Sequence, residues 1–269
     1  LTATTEKRRL ALTCPAVGST SPAFMQPCGT LDRGDGVALA VRARPGSGPA
    51  LIFLPGYASD MTGSKAEAVD AWAEAHGRAC TRFDYSGCGA SGGAFTDGTI
   101  GRWLADAEAV LARHSGPVVV VGSSMGGWIA LLLALAQPER IAGLVLIAPA
   151  PDFTQWGLAD TLTSDERASL ARSGQFERPS AYAQQPTIYT RALIEDGAAR
   201  LLLGRPLPYA GPVRILHGQA DPDVPWRLSL DLAEKLASAD VRLTLVKDGD
   251  HRLSRPHDLA LLEDALASL

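Results

Sequence analysis

Four cysteines stand in 269 residues, Cys14, Cys28, Cys80 and Cys88, and none forms a C-x-x-C pair or shows metal-ligand spacing with another. Free thiols in a reducing compartment are the expectation, with a Cys14–Cys28 bridge the one alternative. Charge of neither sign is in strong excess. A net charge of −4 and a sequence pI near 5.7 leave no basic footprint for nucleic acid. Long hydrophobic runs are missing as well: the longest, Trp128 to Ala136, is far short of the roughly 18 residues a membrane span needs. No G-x-x-x-x-G-K-[ST], no strand-coupled G-x-G-x-x-G and no histidine pair at helical zinc spacing is present, so neither a metal nor an organic cofactor is expected. The glycine run Gly87 to Gly93 reads as a tight surface loop. Lysine is scarce beside arginine, a bias without functional signal. These absences favour a globular, cytoplasmic protein that works on a small molecule.

With 46% hydrophobic residues, the chain is long enough for one large domain carrying an insertion. Residues 1–24 show neither helical nor strand periodicity, and Met25 stands just before the first orderly segment. A start near Met25 is one expectation. A targeting peptide bearing Lys7, Arg8 and Arg9 is the other. Beyond residue 30, apolar strands alternate with helices. Val37–Val41, Leu51–Leu54, Ala79–Phe83, Pro117–Val121, Ile141–Ile147, Val213–Leu216 and Val241–Val246 read as strands. Ser64–His76, Ile100–Leu111, the run after Gly127, Trp226–Ala237 and Leu259–Leu266 read as helices. Strands apolar throughout predict a mostly parallel α/β sheet covered by helices on both faces. The alternation pauses between Asp152 and Pro208. We therefore expect a poorly structured segment over 1–30, a core over 31–151 and 209–269, and a helical cap over 152–208.

The most informative stretch is Gly122-Ser123-Ser124-Met125-Gly126-Gly127, set between a valine run and an apolar helix. Strand, G-x-S-x-G, helix is the setting of a nucleophile elbow, in which a strained turn lifts the serine hydroxyl above the sheet edge. Ser124 is the predicted nucleophile. Such a hydroxyl needs a base. Of five histidines, His251 follows the last strand at the edge where catalytic groups gather in open α/β sheets, and it completes the order Ser, acid, His. His257 is the reserve, and His217 is expected to hold its turn. The acid is assigned to Asp221 after the penultimate strand, with Asp223 and Asp152 left open. The oxyanion needs preorganised donors. We expect the peptide N–H groups of Met125 and of Tyr57, the latter in Pro55-Gly56-Tyr57 after an early strand.

From about Leu31 onward these features resemble the α/β-hydrolase superfamily. Closer likeness lies in Phe53-Leu54-Pro55-Gly56-Tyr57 with Met61 and Gly63-Ser64-Lys65-Ala66, in Arg82-Phe83-Asp84-Tyr85-Ser86-Gly87, in the elbow through Trp128, and in Leu216-His217-Gly218 to Trp226 with Asp250-His251-Arg252. Together they look like the family of α/β-hydrolase domain-containing protein 10 and its bacterial relatives. That resemblance implies a triad on Ser124, Asp221 and His251, and palmitoyl-protein thioesterase or acyl-glucuronide esterase activity, mitochondrial in animals. The expected function is a serine esterase or thioesterase acting on a small ester, a thioester or an acylated protein. Lipase, peptidase, lactonase or acyltransferase chemistry on the same residues is the alternative, and a ligand receptor that has lost turnover is the alternative of another class.

Overall fold

The computed structural model describes residues 28–269. The expectations about residues 1–24, Met25 and a Cys14–Cys28 bridge lie outside the described residues. The core is an eight-stranded sheet of β1 (Cys28–Asp32), β2 (Ala38–Arg44), β3 (Ser47–Leu54), β4 (Arg78–Phe83), β5 (Val118–Ser123), β6 (Ile141–Ile147), β9 (Val213–Gly218) and β10 (Val241–Val246). Its order is β1-β2-β4-β3-β5-β6-β9-β10. β1 and β2 pair antiparallel, β2 meets β4 antiparallel, and all later pairings are parallel. β1 begins at Cys28, so the last three residues of the segment expected to be poorly structured belong to the sheet. Edge pairing with β2 orders them despite their weak apolar pattern.

Both faces are buried, which is why Leu51–Leu54, Val118–Val121 and Leu144–Ile147 are apolar at consecutive positions. Ile52, Leu54, Val118 and Val120 pack on one side with α2 (Ile100–Leu111) and α3 (Met125–Ala136). Leu51, Phe53, Val119 and Val121 pack on the other with α1 (Ser64–Ala75) and α7 (Pro256–Ala267). Each fully buried Leu, Ile or Phe stabilises by roughly 1.5–3 kcal/mol, so the sheet centre carries most of the fold. α2 starts where Thr99 accepts a hydrogen bond from the Arg102 N–H, and it buries Ile100, Trp103, Ala107, Val110 and Leu111 at helical spacing. α6 (Arg227–Lys235) leads into β10.

The chain leaves the sheet after β6 and returns at β9. Between them lie a π-helical turn (Thr154–Leu158), α4 (Ser164–Ser173), β7 (Gln175–Arg178), β8 (Thr187–Thr190) and α5 (Arg191–Ala198). The insertion is thus not wholly helical, because β7 and β8 form an antiparallel ribbon. Asp152 closes its base. The buried carboxylate accepts the N–H groups of Leu202 and Leu203, both at 2.8 Å, from a backbone with φ of 60°. β3 and β4 run outward from β5 in one direction, and β6, β9 and β10 in the other. That reversal opens a crevice at the carboxyl ends of the strands beside β5.

Candidate active site

Ser124 follows β5 with φ of 54° and ψ of −118°, outside the conformations most side chains accept. The turn is held by the Ser124 N–H on the Ile147 carbonyl at 2.9 Å, and by the Gly127 and Ala150 N–H groups on the Ser124 carbonyl at 2.9 and 3.1 Å. The glycines are a steric requirement here. A Cβ on Gly126 would lie 2.1 Å from the Leu54 carbonyl oxygen, and one on Gly122 would lie 2.4 Å from that of Gly126. The strained turn therefore exists because β3, β5 and α3 press together around it.

The loops after β9 and β10 leave the same sheet edge as the elbow. His251 Nε2 lies 3.1 Å from Ser124 Oγ, and its Nδ1 lies 2.7 Å from Asp221 Oδ2. With the proton on Nδ1 donated to the carboxylate, Nε2 accepts from the serine hydroxyl. The Asp221 side chain is fully shielded, whereas Ser124 and His251 keep partial access to solvent. Its Oδ1 accepts the N–H groups of Asp223 and Val224 at 2.8 and 2.9 Å, while Oδ2 also meets His217 Nε2 at 3.1 Å. All four acceptor positions of the carboxylate are thereby used. Burial by itself would raise this acid, but the hydrogen bonds from His217 and His251 outweigh it and hold the carboxyl well below the usual range.

His217 does more than hold a turn. Its Nε2 faces two acceptors, Asp221 Oδ2 and the Val224 carbonyl at 3.2 Å, so it carries a proton there. Nδ1 then accepts from Ser229 Oγ at 2.7 Å. The ring is completely buried, and both of its nitrogens have partners. The signal was present in the sequence as a histidine at a strand end four residues before the acid.

Of the acids left open, Asp152 is engaged at the base of the insertion. Burial raises its pKa, partly offset by its two backbone donors. Asp223 is exposed and accepts from Tyr182 Oη. His257 pairs with Asp258 on α7, at 3.2 Å. Asp248 pairs with Arg255, and Asp250 accepts the Arg252 and Leu253 N–H groups, so both shape the His251 loop. Lys65 Nζ ties that loop to α1 by donating to the Arg252 carbonyl at 2.6 Å.

The loop after β3 runs against the elbow. A Cβ on Gly56 would lie 3.4 Å from Ser124 Cβ. Tyr57 follows directly, and Met125 opens α3, where a first-turn N–H has no intrahelical acceptor. Around Tyr57 gather Phe95, Trp103, Phe153 and Tyr189, forming an aromatic layer between core and insertion. Asp221, Asp223 and His251 stand close enough to offer three ligand atoms to a cation. Two of the three are already hydrogen-bonded to each other, and this set suits proton transfer better than metal binding.

Residues 51–262 match the model of the alpha/beta hydrolase family. Palmitoyl-protein thioesterase ABHD10, mitochondrial, of Mus musculus is 39% identical over 238 residues, covering 86% of this chain and 78% of that protein. Its Homo sapiens counterpart is 36% identical over 234 residues, with 86% and 76% covered. Among solved structures, one from Agrobacterium vitis S4 is 47% identical with a TM-score of 0.86 over 90% of this chain and 97% of the other. Alpha/beta hydrolase domain-containing protein 10 from mouse gives 36% and 0.83 over the same shares. The location in the relatives' names lends no support to the cytoplasmic placement expected from the sequence. No described helix is long and apolar enough to cross a membrane.

Proposed function

Because the chain belongs to the alpha/beta hydrolase family, and is a serine hydrolase acting on esters or thioesters, we propose that its chemistry runs through an acyl-enzyme on Ser124. One observation carries this reading: the continuous chain of contacts from Ser124 Oγ through His251 to Asp221, mounted on a strained elbow. As Ser124 attacks the acyl carbonyl, His251 Nε2 takes the hydroxyl proton and Asp221 stabilises the resulting imidazolium. The peptide N–H groups of Tyr57 and Met125 receive the oxyanion. Collapse expels the alcohol or thiol, protonated by His251. A water molecule, deprotonated by the same nitrogen, then releases the acid and regenerates Ser124.

Residues 152–208 act as a cap that selects the acyl group, over a core of residues 31–151 and 209–269. The aromatic layer around Tyr57 supports a hydrophobic acyl chain, and the thioesterase relatives support a fatty-acyl thioester, small or protein-borne. For the compartment, the buried free thiols Cys80 and Cys88 support a reducing one, either cytoplasm or mitochondrion. A fluorophosphonate probe tests the nucleophile: labelling of the native protein that disappears in Ser124→Ala is expected, and equal labelling of both overturns it. Matched oxygen esters and thioesters of graded chain length then test the substrate class. A preference for short oxygen esters would count against the fatty-acyl thioester.

A further inference from the structure

Tyr57 occupies two environments at once. Its backbone belongs to the loop that packs against the elbow, while its side chain reaches into the insertion. The phenol donates to the Ile188 carbonyl at 2.5 Å, 131 residues away in the chain. The ring stacks on Tyr189, with centroids 5.2 Å apart and an interplanar angle of 6°. Its edges meet Phe95 and Trp103 from the core side, at 5.2 and 5.6 Å. Ile188 and Tyr189 belong to β8, so both polar and stacking contacts grip the ribbon rather than the sheet.

The ribbon is fixed independently of this contact. Phe176 of β7 stacks on Tyr189, and Arg178 binds Glu166 at 2.8 Å and the Gly157 carbonyl at 2.9 Å. On the other side of Tyr57 the backbone is strained. Ala58 has φ of 54°, a conformation an alanine keeps only where its surroundings impose it. Within the loop, one backbone bond, from the Ser59 N–H to the Gly56 carbonyl at 3.2 Å, spans that strain. The Tyr57 side chain adds its contacts to the ribbon, while farther along the loop Met61 is held by Asp84 and Arg82.

We propose that the Tyr57 side chain is a positioning group that clamps the oxyanion loop to the β7–β8 ribbon, so that the ribbon sets where the Tyr57 peptide N–H stands relative to Ser124. The proposal rests on reading Ser124 as nucleophile and that N–H as an oxyanion donor. It gives the insertion a part in turnover as well as in substrate choice. A substrate that lifts the ribbon loosens the donor and loses kcat, whereas one that fits beneath it keeps the oxyanion site assembled.

Tyr57→Phe removes the phenol but preserves the ring and the peptide N–H. On a short p-nitrophenyl ester its kcat should fall about tenfold with KM changed less than about twofold, below the roughly hundredfold or greater loss for deleting a donor. Affinity for a trifluoromethyl ketone, whose adduct places an oxyanion in the same site, should fall in parallel. Tyr189→Leu, which leaves Tyr57 intact, should show the same split at about threefold, since a looser contact misplaces the donor without removing it. Native kcat in both variants, or a loss confined to KM, overturns the clamp. Should Tyr57→Phe fail to fold, Tyr189→Leu decides by the same two outcomes. Failure of the native protein to label at Ser124 overturns the underlying nucleophile reading instead, and so is distinguishable from failure of the clamp.

Discussion

Asp221 and Tyr57 come from strands on opposite flanks of β5, and they are held by different physics. Asp221 sits in a closed polar shell of two imidazoles and two backbone N–H groups, all from residues 217–251 of the core. Tyr57 is held by aromatic faces and one hydrogen bond to a ribbon more than a hundred residues away. A saturated carboxylate tolerates little displacement, because each lost donor exposes a buried charge. Stacked rings can slide with modest cost. In the mechanism we propose, proton transfer is built on the rigid side of the crevice and substrate adaptation on the yielding side.

The largest expected effect breaks the comparison at its centre. Ser124→Ala should lower kcat by about 10⁶-fold with the fold intact, measured by steady-state hydrolysis and circular dichroism. Next, Asp221→Asn should lower kcat by about 10⁴-fold, since an amide leaves His251 without its carboxylate partner. A loss below tenfold would move the acid role elsewhere.

His217→Leu probes the shell itself. Removing one donor from Asp221 and leaving Ser229 Oγ unpaired should cost about 2 kcal/mol of stability and lower kcat about tenfold. Urea unfolding and rate measurements at one pH separate the two effects. The same shell has a pH signature. The folded Asp221 carboxyl lies below its unfolded value, so its stabilisation is complete above about pH 4 and is lost as pH falls further. Urea midpoints of Asp221→Asn should consequently drop less between pH 6 and pH 3 than those of the native protein.

The smallest effect belongs to the yielding side. Glu166 closes the capping box of α4 with Thr163 and pairs with Arg178, whose hydrogen bond lowers its carboxyl to about 2. Because this pair is partly solvated, Glu166→Gln should cost only about 0.5–1 kcal/mol. Faster local hydrogen exchange in α4 and the ribbon, with little change in the core, is the expected observation.

Much of the core could be read directly. Valine and leucine runs mark strands buried on both faces, and the glycines around Ser124 mark a turn without room for Cβ atoms. The insertion was harder. Gln175–Arg178 and Thr187–Thr190 are short, polar at several positions and separated by an eight-residue loop, so neither carries a strand signal without its partner. Asp152 stood as a credible acid at a strand end until Leu202 and Leu203 supplied its partners. His217 stands four residues before Asp221, but that spacing by itself does not show that the ring turns to face the carboxylate.

By itself, the sequence determined the alternating α/β order, the strained serine turn and the sheet edge on which Ser, Asp and His loops emerge. Those follow from steric limits and hydrophobic periodicity, which act over a few residues. Tertiary structure decided which carboxylate meets His251, what second imidazole holds that carboxylate, and that Tyr57 joins the elbow region to the ribbon. His251 and Ser124 are 127 residues apart, and Tyr57 and Ile188 are 131 apart. Hydrogen bonds and ring contacts at such separations depend on distances of a few ångströms, fixed only when the whole sheet has assembled and the insertion has packed against it.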